Sequence, residues 1–239
     1  LAASAEQQYY FIIPAWHKPD EIFDEVCKIS EAVIFTNKLL TMYTGSTEKN
    51  FIEWGKQISL PDKSDTELST YLNNSVWQTV RQNTKRLESS LLEVTWNNTN
   101  RNLIKWILKR IDFYSAEIEG VENPDGVAAL AKGVDIEHIE PQKSSELDHD
   151  TLHSLGNLTL LERAFNRAIQ NIKYLEKKEI YGNSKFRMTN ALNTIPSKGG
   201  KSKQSYDLFY KADDWGAVQI RERAIKLTDA ILKGLSMKL

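Results

Sequence analysis

Apolar residues in the first half of the chain recur at three- and four-residue steps, the period of a helix with one buried face. Behind Pro19-Asp20, the positions Ile22, Phe23, Val26, Ile29, Val33, Leu40 and Tyr43 predict a long core-facing helix running up to Gly45. A shorter helix carrying Phe51, Ile52 and Trp54 should stop before Pro61. Ser64-x-x-Glu67 has the form of a capping box, and Leu68, Leu72, Val76 and Val80 continue at helical spacing behind it. The run Leu103, Ile104, Ile107, Leu108, Ile111, Phe113 and Tyr114 predicts a buried helix with Lys105, Lys109 and Arg110 toward solvent.

The pattern changes at Gly120, where Gly, Asn, Pro and Asp cluster through Gly126. Val134-Asp135-Ile136 is short and β-prone, and so is Leu158-Thr159-Leu160-Leu161 behind Gly156-Asn157; the two predict short strands joined by a polar loop. Helical sequence resumes near Glu162, and Ile172 to Tyr181 reads as a basic amphipathic helix. Ser197 to Ser205, with Gly199-Gly200, Lys198, Lys201 and Lys203, reads as a mobile basic loop. A last helix from about Asp214 to Leu235 brings Val218, Ile220, Ile225, Leu227, Ile231 and Leu232 near one face. The expected fold is mainly α with a small two-stranded insert, an α+β chain. Its regions are a helical bundle over 1–120, an insert-bearing core over 121–196, and a basic loop and terminal helix over 197–239.

With 239 residues, 41% hydrophobic and 26% charged, the chain has the make-up of a globular protein, not of a disordered or low-complexity one. Its single cysteine, Cys27, excludes an internal disulfide and a CxxC zinc site, which points to a reducing cytoplasm. No apolar stretch suits a membrane span and no signal peptide opens the chain. The start at Leu1 suggests a piece of a longer protein. A net charge of −1 argues against a wholly basic nucleic-acid binder, but the average hides an asymmetry. Between Arg163 and Lys211, eleven Lys or Arg stand against three acids, whereas residues 1–62 hold nine acids against five lysines. A polyanion would meet the later segment.

The chemistry concentrates in Val134 to Gln142, Gly156 to Leu161, and Asn166. Glu137 and His138 close a strand that Pro141 helps to end, so a turn must bring their opposed side chains together. A carboxylate there can hold a metal while the imidazole, with an ordinary pKa near 6.5, takes a proton from water. Asn166, in the first turn of the next helix, can give a neutral oxygen to the same ion. One carboxylate, one amide oxygen, waters and phosphate oxygens suit Mg²⁺.

This constellation resembles the ββα-metal, or HNH, nuclease site, including the HNH domains of RNA-guided nucleases. More narrowly, His138-x-x-Pro141, Gly156-Asn157-Leu-Thr-Leu, Asn166 with Asn171, Lys177-Lys178 with Tyr181, and the helix from Trp215 to Arg223 resemble the HxxP nuclease domain at the carboxyl end of GmrSD-type modification-dependent restriction endonucleases. The resemblance implies that the insert is a ββα-metal core and that the activity is hydrolysis of DNA phosphodiester bonds in restriction of foreign or modified DNA. By position it implies His138 as general base, Glu137 and Asn166 as ligands of Mg²⁺ or Mn²⁺, and Asn157 as a catalytic-site residue that braces the loop between the strands. It also implies an upstream ParB-like nucleotide-hydrolysing sensor domain as partner.

Arg163, Arg167, Lys173, Lys177 and Lys178 are the candidate phosphate contacts. Tyr174, Tyr181 and Phe186 read as core residues in preference to base-stacking ones, and the six tryptophans as core and helix contacts. His149 and His153 have helical zinc-ligand spacing but fall in a polar loop with no cysteine nearby. The rival to an enzyme is a helical nucleic-acid-binding or partner-docking module with an inactive nuclease-like insert. If His138 is the base, its ordinary pKa would make the rate fall below about pH 6.5.

Overall fold

The computed structural model describes residues 6–42, 44–121, 133–169, 172–193, 209 and 214–238. Tyr43, Asn171, residues 122–126 of the turn-rich cluster and the lysine loop at 197–205 lie outside them. The chain divides into two units, Leu1–Ser90 with Leu235–Leu239, and Leu91–Gly234.

The first unit is helical. Helix α1 spans Tyr9–Ala15, α2 Asp20–Leu40 and α3 Thr44–Ile58. Asp20 and Glu21 sit in the first turn of α2, where the helix dipole favours acids. The helix stops at Leu40, short of Gly45, because Thr41 turns left-handed with a φ of 50° and closes its amide on Asn37. Gly45 belongs instead to α3. Asn37 Nδ2 donates to Thr47 Oγ1 at 2.6 Å, tying the two helices. A Cβ on Gly55 would lie 1.9 Å from the Tyr10 carbonyl oxygen, so α1 rests directly on the α3 backbone. The capping box forms, with the Ser64 amide donating to Glu67 and the Glu67 amide to Ser64. Behind it come α4 (Asp65–Tyr71), a π-turn at Leu72–Val76 and α5 (Trp77–Arg81), with Leu68, Leu72, Val76, Trp77 and Val80 buried. Trp16, expected as a packing residue, is exposed. Helix α6, Thr84–Glu93, follows.

The second unit begins with α7, Arg101–Glu119, which ends at Gly120 with a φ of 71°. This helix is expected within a bundle region ending at 120, yet it packs in the unit that holds the strands. Strands β1 (Val134–His138) and β2 (Leu158–Glu162) pair antiparallel, in a register that sets Glu137 opposite Thr159 and His138 opposite Leu158. Between them α8, His149–His153, takes the place of the polar loop expected there; the Asp148 carboxylate caps it by accepting from Thr151 N at 2.9 Å. A single 3₁₀ turn, Leu155–Asn157, leads into β2. After β2 come α9 (Arg163–Ala168), α10 (Tyr174–Gly182), α11 (Arg187–Asn190) and α12 (Ala217–Gly234). Ile139, Leu161, Ile169, Tyr174, Tyr181 and Leu192 form a core behind the hairpin.

Helix α12 anchors the entry to β2. The buried Arg223 Nη1 donates to the carbonyls of Gly156 at 2.8 Å and Leu158 at 2.7 Å, and burial lowers its pKa to about 9. A Cβ at Gly156 would lie 1.9 Å from the Ile220 carbonyl oxygen, which explains the glycine before Asn157. Val218 and Ile225 are exposed, at 64% and 52%, so the buried face of α12 is narrower than its apolar pattern suggests. No helix among the described residues is long and apolar enough to cross a membrane.

Gly156→Ala should lower the unfolding free energy by about 2 kcal/mol, read by urea denaturation, because backbone must shift to admit a methyl group. Asp112 on α7 is buried and accepts from Met188 N at 2.9 Å; burial raises its pKa from 3.8 to about 6. A folded-state pKa above the unfolded one means that the folded chain keeps the proton longer, so this group's contribution to stability declines as pH rises from about 4 to about 6. The difference in unfolding free energy between the parent and Asp112→Asn should therefore move against the parent by about 2 kcal/mol between pH 4 and pH 7.

Candidate functional site

Successive residues of β1 start toward opposite faces, yet Glu137 and His138 line one cavity of about 430 Å³ together with Asp135, Pro141, Gln142, Asn166, Arg167 and Lys177. A larger cavity of about 660 Å³ lies against α1, but Tyr9, Tyr10, Ile13 and Pro14 dominate its wall and it gathers no histidine or lysine. Chemistry, not size, singles out the smaller one.

On one face of β1, the Glu137 carboxylate is buried against α10. Lys177 Nζ donates to its Oε1 at 2.6 Å and Tyr181 OH donates to the same oxygen at 3.2 Å. Burial raises the Glu137 pKa, and Lys177 opposes the rise. The same ammonium donates to the carbonyls of His138 at 2.8 Å and Ile139 at 3.2 Å, where the strand ends. Lys177 is therefore not the phosphate contact expected from the basic helix: it is 1% exposed, and three acceptors surround its charge.

On the other face, His138 is nearly buried. Its Nε2 lies 3.0 Å from His153 Nδ1, and its Nδ1 lies 2.9 Å from Gln142 Nε2. Trp96 meets the His138 ring edge-on at 5.3 Å and stacks on His153 at 5.6 Å. The Trp96 amide donates to His153 O at 2.7 Å, which fixes the indole beside the pair. Burial first, then the neighbouring His153 and Lys177, lower the His138 pKa to about 3. The imidazole is thus neutral across the range in which an ordinary histidine titrates, which corrects the acid limb expected near pH 6.5. A neutral ring carries one N–H. With the Gln142 amide oxygen toward Nδ1–H, Nε2 keeps its lone pair and can act as a base; with the amide nitrogen there, Nε2 carries the proton and cannot.

Asn157, wholly buried, acts on the backbone. Its Oδ1 accepts from Glu140 N at 2.8 Å and Trp215 Nε1 at 3.0 Å, and its Nδ2 donates to the carbonyls of Glu140 at 3.1 Å and Leu152 at 2.7 Å. It holds the chain leaving β1 against the chain entering β2. Asn166 is half-buried in α9 on the cavity wall, and the exposed Arg167 follows it. Arg163 is exposed and binds Asp135. Lys173 is exposed and pairs with Glu146 at 2.7 Å, and Lys178 lies 5.6 Å from the Tyr174 ring. Sequence reasoning missed His153, Gln142 and Trp96 as partners of His138. It also missed that Tyr174, Lys177 and Tyr181, at steps of three and four, share the buried face of α10. Among the described residues no group of three His, Cys, Asp or Glu could hold a metal; His149 and His153 lie with ring centroids 4.5 Å apart, and His153 faces His138.

Residues 81–230, more than half of the chain, match the family of GmrSD restriction endonucleases, C-terminal domain. The chain belongs to this family. The match covers both strands, the cavity and most of the second unit. Comparison with curated proteins and with solved structures found no match. This GmrSD C-terminal domain thus keeps its titratable cluster within the part that defines the family.

Removing one member of a buried ion pair strands the other charge. Lys177→Met should cost about 3 kcal/mol or more of unfolding free energy, and Glu137→Gln in the same chain should restore much of it. Denaturation in EDTA measures both.

Proposed function

We propose that this GmrSD C-terminal domain is a metal-dependent endonuclease of the ββα-metal, or HNH, type, which hydrolyses DNA phosphodiester bonds in restriction of foreign or modified DNA. The observation that carries the reading is the single cavity shared by Glu137, His138 and Asn166, with Arg167 beside them. The order β1, β2, α9 around it supports the ββα assignment.

A divalent ion fits the residues present in a limited way. Glu137 and Asn166 offer one carboxylate and one amide oxygen, hard donors that suit Mg²⁺ or Mn²⁺ with the remaining positions left to water and phosphate oxygens. When bound, the ion supplies charge stabilisation at the scissile phosphate and its leaving oxygen. Lys177 and Tyr181 fix the Glu137 carboxylate from one side. Once the Gln142 amide turns its oxygen toward Nδ1–H, His138 Nε2 takes the proton of the attacking water, the oxygen of that water bonds to phosphorus, and the ester P–O bond breaks with its electron pair leaving on the ester oxygen. Gln142 sets the tautomer and Asn157 holds the loop that carries the base. Arg167, Arg163, Lys173 and Lys178 meet phosphates. In the full-length protein an upstream ParB-like nucleotide-hydrolysing domain senses modified DNA in the cytoplasm, and the helical first unit links it to the nuclease.

The rival, a binding module with a silent nuclease-like insert, draws on one observation: Glu137 Oε1 and His138 Nε2 both contact protein partners. Nicking of supercoiled plasmid with Mg²⁺ or Mn²⁺ separates the two readings. Cleavage should vanish in EDTA and fall at least 100-fold in His138→Ala while mobility-shift binding persists. Cleavage untouched by His138→Ala would remove the mechanism, and an RNA substrate run alongside tests the choice of DNA. Because the folded environment keeps His138 neutral, the rate should show no acid limb from this group between pH 5.5 and 8. A steep fall near pH 6.5 would refute that environment.

A further inference from the structure

Arg101, Lys105 and Lys109 follow one another at four-residue steps on α7, which stacks them on one face about 6 Å apart along the axis. Lys105 Nζ donates to the Val134 carbonyl at the start of β1, and Arg101 Nη2 lies 3.8 Å from Asp135 Oδ1. From α9, Arg163 reaches the same carboxylate with Nε and Nη2, each at 3.3 Å. Burial and then Lys109 depress the Lys105 pKa, with Arg101 and Arg163 adding to them and only Asp135 opposing. The side chains of Arg101 and Arg163 are 52% and 50% exposed, so solvent and ligands reach them. Asp135 shares its face of β1 with Glu137, lines the same cavity, and stands three residues, roughly 10 Å, from His138.

Exposed ion pairs contribute little to stability, and two arginines on the Asp135 carboxylate, with Lys105 beside them repelled in turn by Lys109, leave repulsion only partly offset within the fold. A polyanion offsets it. The three cations of α7 extend over about 12 Å, the rise of three to four nucleotides of one duplex strand at about 3.4 Å each.

We propose that Arg101, Lys105, Lys109 and Arg163 form a phosphate-binding strip that guides the backbone of duplex DNA into the cavity, with Asp135 holding the two arginines in register until phosphate replaces it. This rests on the reading of the cavity as a DNA-cleaving site and adds α7 to the surface that meets DNA.

Fluorescence anisotropy with a labelled 30-base-pair duplex in EDTA, across a salt series, tests the strip without any requirement for cleavage. The slope of log K against log salt should lose about 2 in Arg101→Gln/Lys105→Gln and about 1 in Lys109→Gln. Asp135→Asn, by freeing two arginines, should tighten binding several-fold at low salt. Thermal midpoints within a few degrees of the parent's establish that the variants fold. A slope unchanged in both charge variants, or weaker binding by Asp135→Asn, overturns the strip even if plasmid is cut. The expected slopes without cleavage uphold the strip and defeat only the nuclease reading. Equal slope changes on single-stranded RNA but none on the duplex overturn the choice of duplex DNA.

Discussion

A single ammonium group determines whether the end of β1 can exist in its observed form. The carboxylate of Glu137 and the carbonyls of His138 and Ile139 converge on one buried point, and each would be costly to leave without a donor. Lys177 supplies all three from α10, 40 residues beyond Glu137 in the chain. Its own charge is tolerable there because the acceptors surround it, with one full negative charge among them. The pair is best understood as fixing geometry, since burying two ions gains little net stability while removing either is expensive. It sets the direction in which the strand ends, and with it the exit of the loop that Asn157 then clasps.

The parts of this arrangement legible in the sequence are those governed by local rules. Alternation and flanking turn residues mark β1 and β2, the Ser64-x-x-Glu67 pattern marks its helix start, and apolar spacing marks α2 and α7. The family signature lies in contiguous pieces and reads without coordinates. Short helices such as α1 and α8 escape because five to seven residues cannot display a 3.6-residue period. Thr41 ends α2 through a left-handed turn that its residue type does not announce.

The candidate site was half visible. Its order along the chain points to Glu137, His138, Asn157 and Asn166, but charge counting mistakes a buried lysine for a surface one. Net charge treats every Lys alike, whereas the two tyrosines flanking Lys177 at helical spacing put it inward. His153 and Trp96 are invisible for a different reason. They reach His138 through the backbone pairing of Trp96 with His153, a tertiary contact that no spacing rule encodes.

The hold of α12 on the turn before β2 has a bearing on how the domain comes into being. Arg223 supplies donors to Gly156 and Leu158 from a point more than sixty residues later. A ribosome making this chain has already released both strands while that guanidinium is still inside its exit path. The turn before β2 therefore gains its buried guanidinium only late in synthesis, and a product terminated ahead of α12 lacks that clamp.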